Sequence, residues 1–187
     1  MSEAQPTAPA EPKSYVEWLG GLPKQVAALQ PGPRAHLRRW RPGRSELSPA
    51  FWRLYVTRPD GDEKITSINA KELERIAVLL AALAETDGLH RSHVEGGAPS
   101  FGRALALCGF SEARLVRLLE ARDDQRADGL LKTAGFLAAK AQPFVTTDLV
   151  HFACPLGDDA LERRRHKIAR DYYAALDAAA KTEKEGV

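Results

Sequence analysis

The sequence predicts an all-α protein, a helical bundle in two halves whose cores are shared or abut each other. Residues that favour helix N-termini stand ahead of successive apolar segments along the chain. Within those segments the apolar residues recur every three or four positions, as on the buried face of a helix. No segment alternates apolar and polar residues over a useful length, so we predict no strand.

The first half is predicted to contain four helices. Ser14 with Glu17 forms a capping box, and Pro33 occupies a first-turn position, where proline is favoured. Asn69 caps the strongest apolar repeat, which Gly88 ends. The predicted spans are 14–29, 33–40, a short helix from 48 that carries Phe51, Trp52 and Tyr55, and 69–88.

The second half is predicted to contain five helical segments. Their start signals are Ser100, Ser111, Asp123 or Asp124, Thr147, and Asp159 with Glu162. Their expected ends lie at Gly109, before position 123, near Ala141, near Cys154, and at about Lys181.

The domain organisation follows from these spans. We expect a disordered leader over 1–13, helical halves over 14–94 and 99–181, and a frayed tail over 182–187. The Gly- and Pro-containing segment Glu95–Pro99 separates the halves, and Thr57–Ser67 is predicted to be a loop.

Composition favours a globular protein of the cytoplasm. Hydrophobic residues make up 44% of the chain and charged residues 28%, enough for both a core and a solvated surface. The longest apolar run, around 77–84, is far shorter than the roughly 20 residues that a membrane span needs. Two cysteines are too few for a disulfide framework, and the N-terminus does not have the pattern of a signal peptide.

The basic residues are clustered, although the net charge is only +2. Five arginines and no acid lie between Arg34 and Arg44, and five basic residues and no acid between Arg163 and Arg170. In each cluster three cations have the i, i+4, i+7 spacing of one helix face. These two stripes are Arg34, Arg38 and Arg41, and Arg163, Lys167 and Arg170.

The alternative is that each cluster is a solvated helix face. Such faces usually mix charges, because oppositely charged i, i+4 pairs stabilise a helix. Two acid-free clusters therefore favour contacts with nucleic-acid phosphate. Arg165 projects onto the apolar face, and we expect it to reach a buried acid or a partner subunit. The aromatic residues with helical spacing are assigned to core packing: Trp40, Trp52, Tyr55, Tyr172 and Tyr173.

Residue patterns for catalysis are lacking. His90 and His93 resemble a metal pair but have no third ligand at a suitable spacing. The glycines at 96–97 are not followed by the lysine of a phosphate-binding loop. Paired acids stand where helix caps are needed. We therefore expect no enzymatic activity, no metal and no cofactor.

Several motifs together resemble those of one family. In chain order they are Ala35–Arg39, Pro49–Leu54, Ser100–Leu105, Glu112–Leu115 with Leu118, Leu119 and Ala121, and Ala169–Tyr173. In this order and spacing the chain resembles CasB, the small subunit of the type I-E CRISPR Cascade complex, from about Tyr15 to Tyr173. It departs from the family pattern in the Thr57–Ser67 loop and at Phe152, where tryptophan is expected.

The resemblance implies a non-catalytic subunit present as two copies inside Cascade. It would contact guide RNA, target DNA and the displaced strand, and would brace the large subunit and the backbone subunits. The family-type basic positions are Arg38, Arg39, Arg53, Arg103, Arg114, Lys132, Arg163 and Arg164. With Arg34, Arg41, Lys167 and Arg170 of the stripes they form the predicted nucleic-acid-binding set.

Two other functions are compatible with parts of the sequence. The arginine clusters also suit a helical protein–protein adaptor that binds acidic partners. A small hydrolase would have to use His90 or His93.

Overall fold

The computed structural model describes residues 14–44, 46–59, 69–92 and 97–185. These ranges contain nine helices and one small sheet. The helices are α1 (Tyr15–Ala27), α2 (Pro31–Arg38), α3 (Pro49–Tyr55), α4 (Ala70–Glu85), α5 (Phe101–Leu107), α6 (Glu112–Glu120), α7 (Asp123–Ala139), α8 (Thr147–Ala153) and α9 (Asp158–Glu185). The predicted fold class is confirmed. The predicted leader and most of the Thr57–Ser67 loop lie outside the described residues.

The helix starts follow from local capping. The side-chain oxygens of Ser14, Ser48 and Asn69 accept hydrogen bonds from first-turn amides, which have no partner within the helix. Helix α2 begins at Pro31, two residues before the predicted start, because Pro31 takes the first-turn position. Helix α9 continues past Lys181 to Glu185.

Helix α4 lies at the centre of the described structure. Its residues Ile76–Ala84 are all buried, and the helix packs against α1, α2, α7 and α8. A helix that is apolar on all sides must be covered on all sides. One hydrophobic cluster accordingly includes Trp18 and Phe51 from the first predicted half and Phe101 and Phe152 from the second.

A two-stranded parallel sheet was not predicted. Strand β1 (His90–Arg91) pairs with β2 (Phe144–Val145), and Ser100 forms an isolated bridge with Val145. Two-residue strands are too short to produce an alternating sequence pattern. The sheet joins the segment after α4 to the segment before α8.

Helices α5 and α9 pack closely at Gly102. A Cβ atom at this position would lie 2.2 Å from the carbonyl oxygen of Ile168. Ile168 and the neighbouring Phe101 are fully buried, so neither helix can shift without disturbing the core. Glycine is therefore required for this close approach.

No helix within the described ranges is both long and apolar enough to cross a membrane.

The Gly102→Ala variant should be destabilised. Its methyl group would collide with backbone of α9, and overpacking of this kind costs about 1–3 kcal/mol. For a chain of this size the expected fall in Tm is about 2–4 °C per kcal/mol, measured by thermal unfolding. The control is Gly135→Ala in α7, where a Cβ meets no atom within 4 Å. That variant should be neutral or more stable, and an equal loss of stability in both variants would contradict the close packing.

Candidate nucleic-acid interface

The first arginine cluster lies on α2 and in the turn after it. The guanidinium of Arg34 forms an ion pair with Asp87, just beyond α4, and donates to the carbonyl oxygen of Ala27 at 3.4 Å. Its side chain is only 23% exposed. Arg34 therefore joins α2 to its neighbours.

The two other arginines of the first stripe lie at the surface. Nε of Arg38 is 3.7 Å from a carboxylate oxygen of Glu85, and the Arg38 side chain is 56% exposed. Such a loose, exposed pair contributes little to stability, so Arg38 is available to another anion. Nη1 of Arg41 donates to the carbonyl oxygens of Arg38 and Trp40, each at 2.7 Å. Arg41 thus satisfies carbonyl groups at the end of α2 while remaining exposed.

Arg39 and Arg44 differ from the other cations of this cluster. Both are exposed, and neither guanidinium has a hydrogen bond or an ion pair among the described residues. Both border a cavity of about 110 Å³ that Trp40 also lines. The sequence pattern did not select Arg44, because it falls outside the i, i+4, i+7 stripe, although it belongs to the same acid-free run.

The second cluster is organised by a buried carboxylate. Asp148, near the start of α8, is only 3% exposed in its side chain. Its two oxygens accept hydrogen bonds from Arg164 and from Nζ of Lys167, the latter at 2.6 Å. Lys167 also lies 3.0 Å from Asp171. Although burial opposes both shifts, these contacts raise the pKa of Lys167 and lower that of Asp171. Arg164 and Lys167 therefore have internal partners.

The remaining cations of the second stripe are more exposed. Arg163 is exposed and has no side-chain partner among the described residues. Arg170 is 74% exposed and lies 3.1 Å from Asp171. Helical spacing describes only neighbours on α9 itself, so it did not reveal that α8 supplies an acid to this stripe.

Two further predicted residues lie at the surface. Arg53 on α3 and Arg103 on α5 are exposed, and neither side chain forms a hydrogen bond or ion pair among the described residues. Arg103 borders a surface groove between α5 and α9 that Asp171 also lines. Gly102, and not Arg103, makes the tight contact with α9. Arg103 is therefore exposed at the edge of this groove.

Arg114 and Lys132 lie together on another surface. The guanidinium carbon of Arg114 is 5.9 Å from the centre of the Phe136 ring. Nζ of Lys132 is 2.6 Å from a carboxylate oxygen of Asp128, one turn earlier in α7. Both side chains border the groove between α6 and α7.

Arg165 caps a neighbouring helix. It donates to the carbonyl oxygen of Ala121 at 3.1 Å, at the C-terminus of α6, and lies 2.5 Å from Glu162. Glu162 is 53% exposed, so the first of the two alternatives for Arg165, a buried acid, is wrong for the described residues, and the second, a partner subunit, stays a prediction. A carbonyl group at a helix end, which lacks an intrahelical donor, is the group that Arg165 satisfies.

The aromatic residues divide into core and surface positions. Trp40, Tyr55 and Tyr172 are buried, as predicted. Trp52 and Tyr173 are 39% and 37% exposed, so the core assignment is wrong for these two. Each packs edge-on against a neighbouring ring and presents its other side to solvent. Trp52 immediately precedes the exposed Arg53 on α3.

His90 has a structural environment. One ring nitrogen lies 2.8 Å from the hydroxyl of Thr86, and the ring packs edge-on against Phe144. Burial lowers the pKa of His90 to about 4, so the imidazole is neutral at pH 7. His93 lies outside the described residues. Within the described part of the chain, no group of three or more His, Cys, Asp or Glu side chains is arranged to hold a metal ion.

The Asp148→Asn variant tests which acids hold the second cluster in place. It should reduce the free energy of unfolding by about 1–3 kcal/mol, because Arg164 and Lys167 would lose their buried carboxylate. Chemical denaturation measures the change. The matched control is Asp128→Asn, whose pair with Lys132 is largely exposed and should change stability by less than about 0.5 kcal/mol. Equal effects of the two substitutions would show that Asp148 has no special structural role.

Comparison with solved structures shows a similar fold in a Cascade complex. One chain of the crystal structure of E. coli Cascade bound to a PAM-containing double-stranded DNA target has a TM-score of 0.62 and 20% sequence identity to this chain. The match covers 85% of this chain and 96% of that chain. At this level of identity it shows a shared fold. No curated protein sequence matches this chain.

A family model also matches the chain. The model of CRISPR-associated protein Cse2 matches residues 33–173, which include both basic clusters and, at least in part, eight of the nine helices in the described ranges. Cse2 is the small subunit of the type I-E complex, also called CasB, so the resemblance noted from the sequence motifs is confirmed. The chain belongs to the CRISPR-associated protein Cse2 family.

Proposed function

We propose that this chain is a non-catalytic subunit of a cytoplasmic type I-E Cascade complex, in which it holds the backbone of the guide RNA–target DNA duplex and of the displaced strand. Family membership and the shared fold with a chain of E. coli Cascade support the assignment to such a complex. We further propose that two copies of this chain are present in each complex and contact its large subunit and its backbone subunits.

The observation that carries the nucleic-acid role is a set of exposed arginines without a close carboxylate among the described residues. They are Arg39, Arg44, Arg53, Arg103 and Arg163. Arg38 joins them because its pair with Glu85, at 3.7 Å, is loose and exposed. A guanidinium without an internal partner keeps its full charge for an incoming phosphate, with which it forms short charge-assisted hydrogen bonds. Arg34, Arg164 and Lys167 have internal carboxylate partners, and Arg41 and Arg170 are the exposed members of the same two stripes.

This arrangement suits sequence-independent binding. In RNA-guided recognition, base pairing between guide and target reads the sequence, and protein holds the backbone. Each arginine that neutralises a phosphate releases counterions, so the opened target is stabilised in a salt-dependent way. One copy offers few such interactions, and the assembled complex adds those of its other subunits.

The double variant Arg39→Ala, Arg53→Ala should weaken target capture by the reconstituted complex. The measurement is binding of labelled double-stranded target DNA at several salt concentrations. The slope of log affinity against log salt should fall by about one for each phosphate that is no longer neutralised. Thermal unfolding should change little, because both side chains are exposed and have no partner among the described residues.

The matched control is Lys24→Ala with Lys181→Ala, which removes the same charge from two exposed lysines outside both clusters. It should leave the salt slope near that of the unsubstituted complex. A salt slope that is the same for both double variants would contradict the proposed phosphate contacts.

A further inference from the structure

A groove with a volume of about 660 Å³ lies between α6 and α7. This volume falls within the range of roughly 300–1,000 Å³ that is usual for ligand sites. The residues that line it are Phe110, Arg114, Arg117, Leu118, Ala121, Gln125, Asp128, Gly129, Lys132, Thr133 and Phe136.

The floor of this groove is apolar. Phe110 packs against Phe136 with ring centres 5.2 Å apart, and Leu118 lies in the wall beside them. Leu118 packs closely against Gly129, where a Cβ would lie only 3.1 Å from the Leu118 side chain. Apolar surface in a concave site favours a ligand that buries an apolar group against it.

The rim of the groove carries an excess of positive charge. Lys132 is paired at 2.6 Å with Asp128, the one acid among the described residues that line the groove. Arg114 and Arg117 have no carboxylate within 4 Å among the described residues. They lie one turn apart on α6, so two available guanidinium groups stand beside the apolar floor.

A nucleic-acid strand fits this groove less well than an acidic protein segment does. The Phe136 ring already contacts Phe110 and has the cations of Arg114 and Lys140 about 6 Å from its centre. It is therefore a poor platform for stacking a base. Two available cations are also few for a nucleic-acid strand, which carries a phosphate at every nucleotide. They match in number a protein segment that has one carboxylate on each side of an apolar side chain.

We propose that the groove between α6 and α7 docks an acidic segment of a partner protein. A bulky apolar side chain of that segment enters between Phe110, Leu118 and Phe136, and carboxylates on either side of it pair with Arg114 and Arg117. Buried anchors of this kind, surrounded by charged contacts, are typical of protein interfaces. Arg114 and Lys132 are thereby assigned to a protein contact and not to phosphate. The proposal does not depend on the phosphate contacts proposed for the other arginines.

Fluorescence polarisation of the full chain with labelled decapeptides tests the proposal. The first peptide carries a central Leu-Phe pair between glutamates, the second replaces that pair with two serines, and the third replaces the glutamates with lysines. A short labelled oligothymidylate represents nucleic acid. The unsubstituted protein should bind the first peptide, and the other two should bind at least about tenfold more weakly, a difference of about 1.4 kcal/mol.

The double variant Arg114→Glu, Arg117→Glu should reduce binding of the first peptide by about tenfold or more. The milder pair Arg114→Gln, Arg117→Gln should give a smaller loss and serves if the reversed charges perturb folding, which circular dichroism detects. Lys24→Glu with Lys181→Glu makes the same change in net charge at exposed positions away from the groove and should leave binding unchanged.

Three results would overturn the proposal. One is the absence of binding to the first peptide, and another is equal binding by the groove and control variants. The third is oligothymidylate that displaces the peptide and shows the same sensitivity to Arg114 and Arg117, which would assign the groove to nucleic acid. None of these results bears on the phosphate contacts of Arg39 and Arg53.

Discussion

The burial of α4 is the constraint on which the rest of the described structure depends. Its apolar side chains from Ile76 to Ala84 are removed from water all round the helix. Each large aliphatic side chain buried in this way contributes about 1.5–3 kcal/mol, so the chain gains most when other helices cover every face. Helices from both sides of the sequence, α1 and α2 as well as α7 and α8, supply that cover. The positions of the basic clusters follow from this packing.

Packing around α4 also divides the cations into two kinds. The end of α4 brings Glu85 and Asp87 beside α2, where Asp87 holds Arg34. Helix α8, which covers another part of α4, brings Asp148 to α9, where it holds Lys167. Arginines beyond the reach of these acids keep their charge for external ligands. A stripe of basic residues in the sequence is thus partly a structural feature and, in the function proposed here, partly a binding surface.

Sequence patterns predicted the helices well, because a helix start is a local event. Ser48, for example, needs only the amide three residues later to cap α3. The patterns did not predict the partner of Lys167, because Asp148 lies 19 positions away and reaches it only through the packing of α8 on α9. The exposure of Trp52 was missed for a similar reason, since the periodicity that places an aromatic residue on a helix does not show what covers it. The two-residue strands left no pattern at all.

A structure of the reconstituted complex on its target DNA, determined by electron cryomicroscopy, tests this division of the cations most directly. We predict that guanidinium nitrogens of Arg39, Arg53 and Arg163 lie about 2.7–2.9 Å from phosphate oxygens. Lys167 should remain bound to Asp148 in the complex. The opposite arrangement, with these three arginines facing protein or solvent and Lys167 in contact with the nucleic acid instead of Asp148, would contradict this division of the cations.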